Sequence, residues 1–232
     1  MKILKKYFNY IKSGKGRIFL ILRKIILWDN LLFNYLRKKK LLHFFSRNRD
    51  KMHSFSNLKI ENSLFLEEKS FFSQHGEDGI FKHIFDIIGF KSRKCIEIGF
   101  GYFENNSMYL ISSHNFDALM IDGQSQNVSI ANWFFKKFNF KGSLATESWI
   151  TKDNINSTIS NNSFNGEIDM LSIDIDGNDY WIWESIDVVN PRLVIIEYNA
   201  SFFDQSITVP YNEFFDRTNF SNYPTDSHWY HG

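Results

Sequence analysis

KCIEIGFGYFENNSMYLI, residues 94–111, carries an apolar run of strand length into two glycines and then into a segment of helical character. Gly99 and Gly101 permit a tight turn with close backbone approach to a ligand, as in many nucleotide-binding turns. Tyr102 and Phe103 put bulk where such turns favour small residues. A phenyl-bearing residue forced to positive φ is strained, so the expectation is a turn of nucleotide-binding type whose affinity is weakened by these two aromatics.

Outward from this turn, apolar runs alternate with helix-length segments from Phe71 onward. Strands are predicted at 95–98, 118–121, 142–145, 170–175 and 193–197, and helices at 77–88, 105–113, 129–138, 152–160 and 178–186. The strands are too apolar to be half exposed and suit a parallel sheet covered on both faces. Ser, Thr or Asp stands near several helix starts, where such residues can cap free amides. Strand and helix alternating at this rhythm predict a doubly wound, mostly parallel α/β sheet of Rossmann-like type, with its domain spanning residues 60–232.

Ligands of open α/β sheets lie at the carboxyl ends of the strands. There the sequence places Glu97, Asp122, Glu147, Asp174, Asp176 and Glu197. Carboxylates so placed suit a cationic ligand, ribose hydroxyls or a divalent cation.

The 232 residues are 43% hydrophobic, enough for one buried core and incompatible with disorder throughout. Charge divides the chain. Residues 1–51 hold fifteen Lys and Arg against Asp29 and Asp50, a net +13, which leaves −12 for the rest of a chain totalling +1. Residues 1–59 therefore read as a basic extension in which Leu22, Ile25 and Ile26 share one helical face among Arg23, Lys24 and the run from Arg37 to Lys40. Such a helix suits an anionic membrane surface, and packing on the domain or on a second subunit is the alternative. Nucleic acid is disfavoured, since no recognition motif accompanies the charge. The longest uncharged stretch is too short to span a bilayer, and no secretory cleavage pattern follows the first residues. The single cysteine, Cys95, lies inside an apolar run and reads as a buried structural thiol in a reducing, cytoplasmic setting.

The dinucleotide fingerprint requires a third glycine where this chain has Glu104, which disfavours NAD. The stretches SQHGEDGI (73–80), CIEIGFGYFENNS, ATESWI (145–150), DMLSIDIDGNDYWIWESI (169–186) and PRLVIIEYNASF (191–202) resemble a bacterial group within or near the FkbM-type S-adenosylmethionine (SAM)-dependent methyltransferases. The resemblance covers roughly residues 70–232, and LSIDIDGNDYWIWE is its most specific part. It implies SAM as cofactor, with Glu97, Gly99 and Gly101 shaping the methionine pocket and Asp122 holding the ribose. Glu147 joins that cofactor set, and Asp174 and Asp176 face the transferred methyl and the acceptor. It implies a sugar hydroxyl of a surface glycan or glycolipid as acceptor. Family members continue into a further strand pair where this chain reads SHWYHG, so an open sheet edge is expected.

Two other functions fit the same residues. An altered glycine turn without the last strands suits a scaffold or interaction protein that has kept the fold and lost catalysis. The Asp174-x-Asp176 pair also suits the metal site of a nucleotide-sugar glycosyltransferase. A calcium loop is excluded by Asp179 in the place of its glycine, and His75 and His83 lack ligand partners, so no resident metal is expected. As a bland alternative, residues 176–179 form a turn that caps the next helix. Trp181 and Trp183 flank Ile182 and read as core filling.

Overall fold

The computed structural model describes residues 64–101, 104–198 and 206–215. The basic extension, Tyr102, Phe103 and the expected missing strand pair lie outside the described residues.

A short 3-10 turn, Leu64–Glu67, precedes α1 (Glu77–Ile88). There follow β1 (Lys94–Ile98), α2 (Ser107–His114), β2 (Asp117–Asp122), α3 (Ser125–Phe138), β3 (Leu144–Glu147), α4 (Ile155–Asn161), β4 (Gly166–Ile173), α5 (Asp179–Ser185) and β5 (Val189–Ile196). The strands form one parallel sheet in the order β3-β2-β1-β4-β5. This is the α/β architecture that the sequence predicts.

The inner strands β1, β2 and β4 are apolar on both faces because each face is covered by helices. Cys95, Ala118, Met120 and Met170 point into a cluster with Phe81 and Phe85 of α1, Leu110 of α2 and Phe134 and Phe135 of α3. Their sequence neighbours Ile96, Leu119, Ile121 and Leu171 enter the opposite cluster with Ile155 and Ile159 of α4 and Ile182 of α5. The period of two along a strand thus sorts residues between an aromatic-rich face and an aliphatic one. The helix side changes between β3 and β4, so the sheet's switch point lies between β1 and β4, where an α/β sheet opens a crevice.

Strand boundaries depart from the prediction where tertiary contacts intervene. β3 starts at Leu144 rather than at 142, because Gly142 lies in a turn pressed on Asp117, where a Cβ would meet Asp117 Oδ1 at 1.6 Å. β5 starts four residues early and includes Pro191, whose missing N–H an edge strand tolerates. The residues immediately before α1 to α5 make no side-chain cap of their own, though Ser73 and Asn105 further upstream accept the Asp78 N–H (3.1 Å) and Met108 N–H (2.9 Å). At α2 a carboxylate from a strand takes that role.

The amino end of the sheet is tied by Asp169. Its buried carboxylate accepts N–H groups of Lys91 (3.0 Å), Ser92 (3.0 Å) and Arg93 (2.7 Å) and pairs with Arg192 (2.8 Å). One β4 side chain thereby fixes the chain's entry into β1.

Candidate functional site

At the carboxyl ends of β1, β2, β4 and β5 lies a cleft of about 890 Å3. Its floor is the turn after β1. Gly99 sits at φ 74 with its N–H on Ile121 O (2.8 Å), and a Cβ there would lie 1.8 Å from Asp174 O. The first glycine is therefore required by the packing of β1 on the end of β4, besides any ligand. Gly101 closes the turn through its N–H to Glu104 O (3.1 Å).

Glu97, at the tip of β1, is 2% exposed. Its Oε1 accepts the Asn106 N–H (2.7 Å) and its Oε2 the Ser107 N–H (2.9 Å). These are leading amides of α2, the groups with which a helix amino end holds a phosphate. Burial raises the Glu97 carboxyl to about 7 against the lowering effect of those amides.

Asp122 ends β2 and ties two loops, accepting Phe100 N–H on Oδ2 (3.1 Å) and Gln124 N–H on Oδ1 (2.6 Å). Each oxygen keeps acceptor capacity, so the carboxylate can take a ligand hydroxyl as well. Glu147 does not join the cleft. It is exposed at the end of the edge strand β3, and the chain turns after it so that Ser148, Trp149 and Ile150 line the cleft instead.

Asp174 and Asp176 follow β4, and Glu197 follows β5. Single carboxylate oxygens of the three lie within 4.8 Å of one another, close enough to share a cation. Burial, then the charges of Asp174, Asp179 and Asp176, push Glu197 up to about 8. Glu197 therefore holds its proton near neutrality. The turn beneath is held by buried Asp179, which accepts Ile175 N–H (2.9 Å) and Gly177 N–H (2.8 Å). The bland turn reading of residues 176–179 thus describes real contacts, and they present Asp176 at φ 63 to the cleft.

Sequence reasoning missed several contributors. Gln74 and His75 line the cleft from the loop before α1. That loop is gathered by buried Asp78, whose Oδ2 accepts the N–H groups of Phe71 (2.7 Å), Phe72 (2.5 Å) and Ser73 (2.9 Å). The motif SQHGEDGI was the available signal, without the contacts that explain it. Trp183 is 44% exposed rather than in the core, and the indole of Trp181 donates to Val209 O (2.7 Å). Ile182 alone of the three fills the core. Cys95 is fully buried, and burial pushes its thiol far up, which removes it as a nucleophile.

Glu77, Glu97, Glu104, Asp122, Asp174, Asp176 and Glu197 put carboxylates around the cleft, and none of the described residues lining it is Lys or Arg. A scan against protein-family models and searches of curated proteins and of solved structures find no match to this chain.

The raised carboxyls have a consequence for stability. Asp78 and Glu97 titrate at about 7 and Glu197 at about 8 in the folded state, each above its ordinary value. Between the unfolded and folded pKa values the folded chain binds more protons, so the stability they contribute is whole at low pH and is lost as pH rises through 7 to 8. The urea midpoint is expected to be higher at pH 5 than at pH 8.5. A midpoint that rises over this range would contradict the assignment.

Proposed function

We propose that the chain is a SAM-dependent methyltransferase, acting on a hydroxyl of a sugar in a glycan or glycolipid. The observation that carries the proposal is Glu97 on the leading amides of α2. A dinucleotide cofactor needs those amides for its pyrophosphate, and here the chain's own carboxylate takes them. The cofactor that suits this cleft has no phosphate and bears positive charge, which agrees with carboxylate walls free of Lys and Arg among the described residues.

Glu97, Gly99 and Gly101 would hold the methionine end of SAM, and Asp122 its ribose. When bound, SAM supplies a methyl group on a positively charged sulfur and becomes a neutral thioether. Asp174, exposed at the end of β4, accepts the hydroxyl proton as the acceptor oxygen bonds to carbon. Burial and the surrounding carboxylates raise Glu197 to about 8, which disfavours it as the proton acceptor near neutrality. The cleft contributes chiefly by holding the oxygen in line with the methyl carbon.

The pair Asp174 and Asp176 with Glu197 favours a second reading, a glycosyltransferase holding a nucleotide-sugar diphosphate through a divalent cation. Calorimetric titration separates the two. SAM should bind the wild type, and Asp122→Ala should weaken it roughly tenfold through loss of a charged hydrogen-bond acceptor. Asp174→Asn should keep SAM affinity and lose turnover. Binding of UDP with Mn2+ but not SAM would replace the proposal by the second reading, and binding of neither would leave a scaffold.

A further inference from the structure

We propose that the segment from Ser206 to Phe215 is a fixed wall on the acceptor side of the cleft, and that the Phe215 ring sets the size of the group admitted there. The inference rests on the methyltransferase reading and extends it to a residue outside the sheet.

The segment forms no helix or strand. It is held by side chains that come from the β3–α4 connection and from the start of α5. Trp149 Nε1 donates to Glu213 O (2.7 Å) and Trp181 Nε1 to Val209 O (2.7 Å). Asn178 pairs with Asn212 through both its amide groups, donating to Asn212 O (2.8 Å) and accepting Asn212 N–H (3.4 Å). The Tyr211 hydroxyl accepts Lys152 N–H (3.1 Å), and Lys152 Nζ lies over the rings of Trp181 (5.1 Å) and Tyr211 (5.4 Å). An opening movement would break these contacts together, including two indole donors that need acceptors. The segment is thus built as a wall, and an opening lid would need looser anchors.

Phe215 closes the far end, its N–H on Asn212 O (2.9 Å). Its ring presses on Gly177, where a Cβ would fall 2.6 Å from Cε1 and where φ is 134. Any side chain there would be strained at that φ and would have to push the ring aside. Gly177 follows Asp176, and Phe215 itself lines the cleft, so the ring bounds the space beside the carboxylates assigned to the acceptor. Trp149 ties the same wall to the cofactor side, since its ring sits 3.0 Å from the position of a Cβ on Gly123, next to Asp122.

The test uses SAM and an analogue bearing benzyl in place of methyl on the sulfur, each titrated into wild type, Phe215→Ala and Phe215→Leu. SAM should bind all three within about twofold, because the ring is assigned to the acceptor side. The benzyl analogue should bind Phe215→Ala roughly tenfold or more tightly than wild type, with Phe215→Leu between, as expected when a pocket gains the volume of a side chain. Thermal midpoints report folding, and Phe215→Leu carries the comparison should the alanine variant not fold. Equal binding of the benzyl analogue by all folded proteins overturns the wall while leaving the methyltransferase reading intact. A selective loss of SAM affinity in the folded variants would put the ring on the cofactor side and also overturn it. Failure of SAM to bind wild type would remove the methyltransferase reading, and this inference with it.

Discussion

Gly99→Ala is expected to destabilise the domain by about 3 kcal/mol or more, the combined effect of a left-handed backbone and an irreducible clash. The first part is local. At φ 74 an L side chain costs about 1 to 2 kcal/mol relative to glycine. The second is tertiary, since the new methyl would fall 1.8 Å from Asp174 O and 3.0 Å from Ile175 Cγ2. A carbonyl oxygen cannot rotate away as a side chain can. Asp174 is itself held by its N–H on Ile98 O (2.9 Å), so relief requires separating β1 from the end of β4. That separation would move Asp174 away from Glu97, and SAM affinity should fall with stability. Gly101 supplies the internal control, because a Cβ there meets Glu104 O at 2.9 Å with no left-handed φ, and its alanine variant should cost clearly less. Urea unfolding of both variants decides the matter. A cost below about 1 kcal/mol for Gly99→Ala would mean the turn relaxes freely and that the glycine serves the ligand alone.

That pairing of Gly99 with Asp174 also marks where sequence reading stops. The strands were legible because a parallel sheet covered on both faces must be apolar along its length, and the runs around Ile96, Leu119 and Leu171 could satisfy no other environment. The helix α1 was legible to both its ends, since Gly76 and Gly89 bracket it. The acidic strand tips were legible through the rule that ligands gather at carboxyl ends. The rule failed at Glu147 because it knows nothing of strand order, and β3 lies at the sheet's edge, away from the switch point. The hold of Glu97 on Asn106 and Ser107, and of Asn178 on Asn212, join residues by packing rather than periodicity. No pattern of spacing encodes such pairs. Trp149 and Phe215 were overlooked for the same reason, as aromatic residues in loops read like surface or core until the loops are placed.

The second large effect lies at the other end of the sheet. Asp169→Ala should cost about 3 kcal/mol or more, since three backbone amides lose their buried acceptor at about 1 to 3 kcal/mol each. The carboxylate is fully buried, and its loss would leave the Lys91, Ser92 and Arg93 amides and the Arg192 guanidinium without their shared acceptor. Burial alone would raise its pKa, but Arg192 and the amides outweigh burial and hold it below the ordinary value. A depressed folded pKa stabilises the protein above the unfolded pKa and ceases to do so as pH falls through the folded one, so the variant's deficit should be full at neutral pH and shrink in strong acid. Arg192→Ala should cost less, because the three amides still hold Asp169, and the double variant should fall short of the sum of the singles, as expected for groups in one network. Asp169 lies five residues before Asp174, about 16 Å along an extended chain. Under conditions where the variant is folded, SAM affinity should therefore match wild type. Denaturant titration at two pH values, with calorimetry of SAM on the folded protein, measures both claims. A destabilisation under 1 kcal/mol would refute the tie at the amino end. A parallel loss of SAM affinity would show that Asp169 and the cleft act as one unit, contrary to their separation along β4.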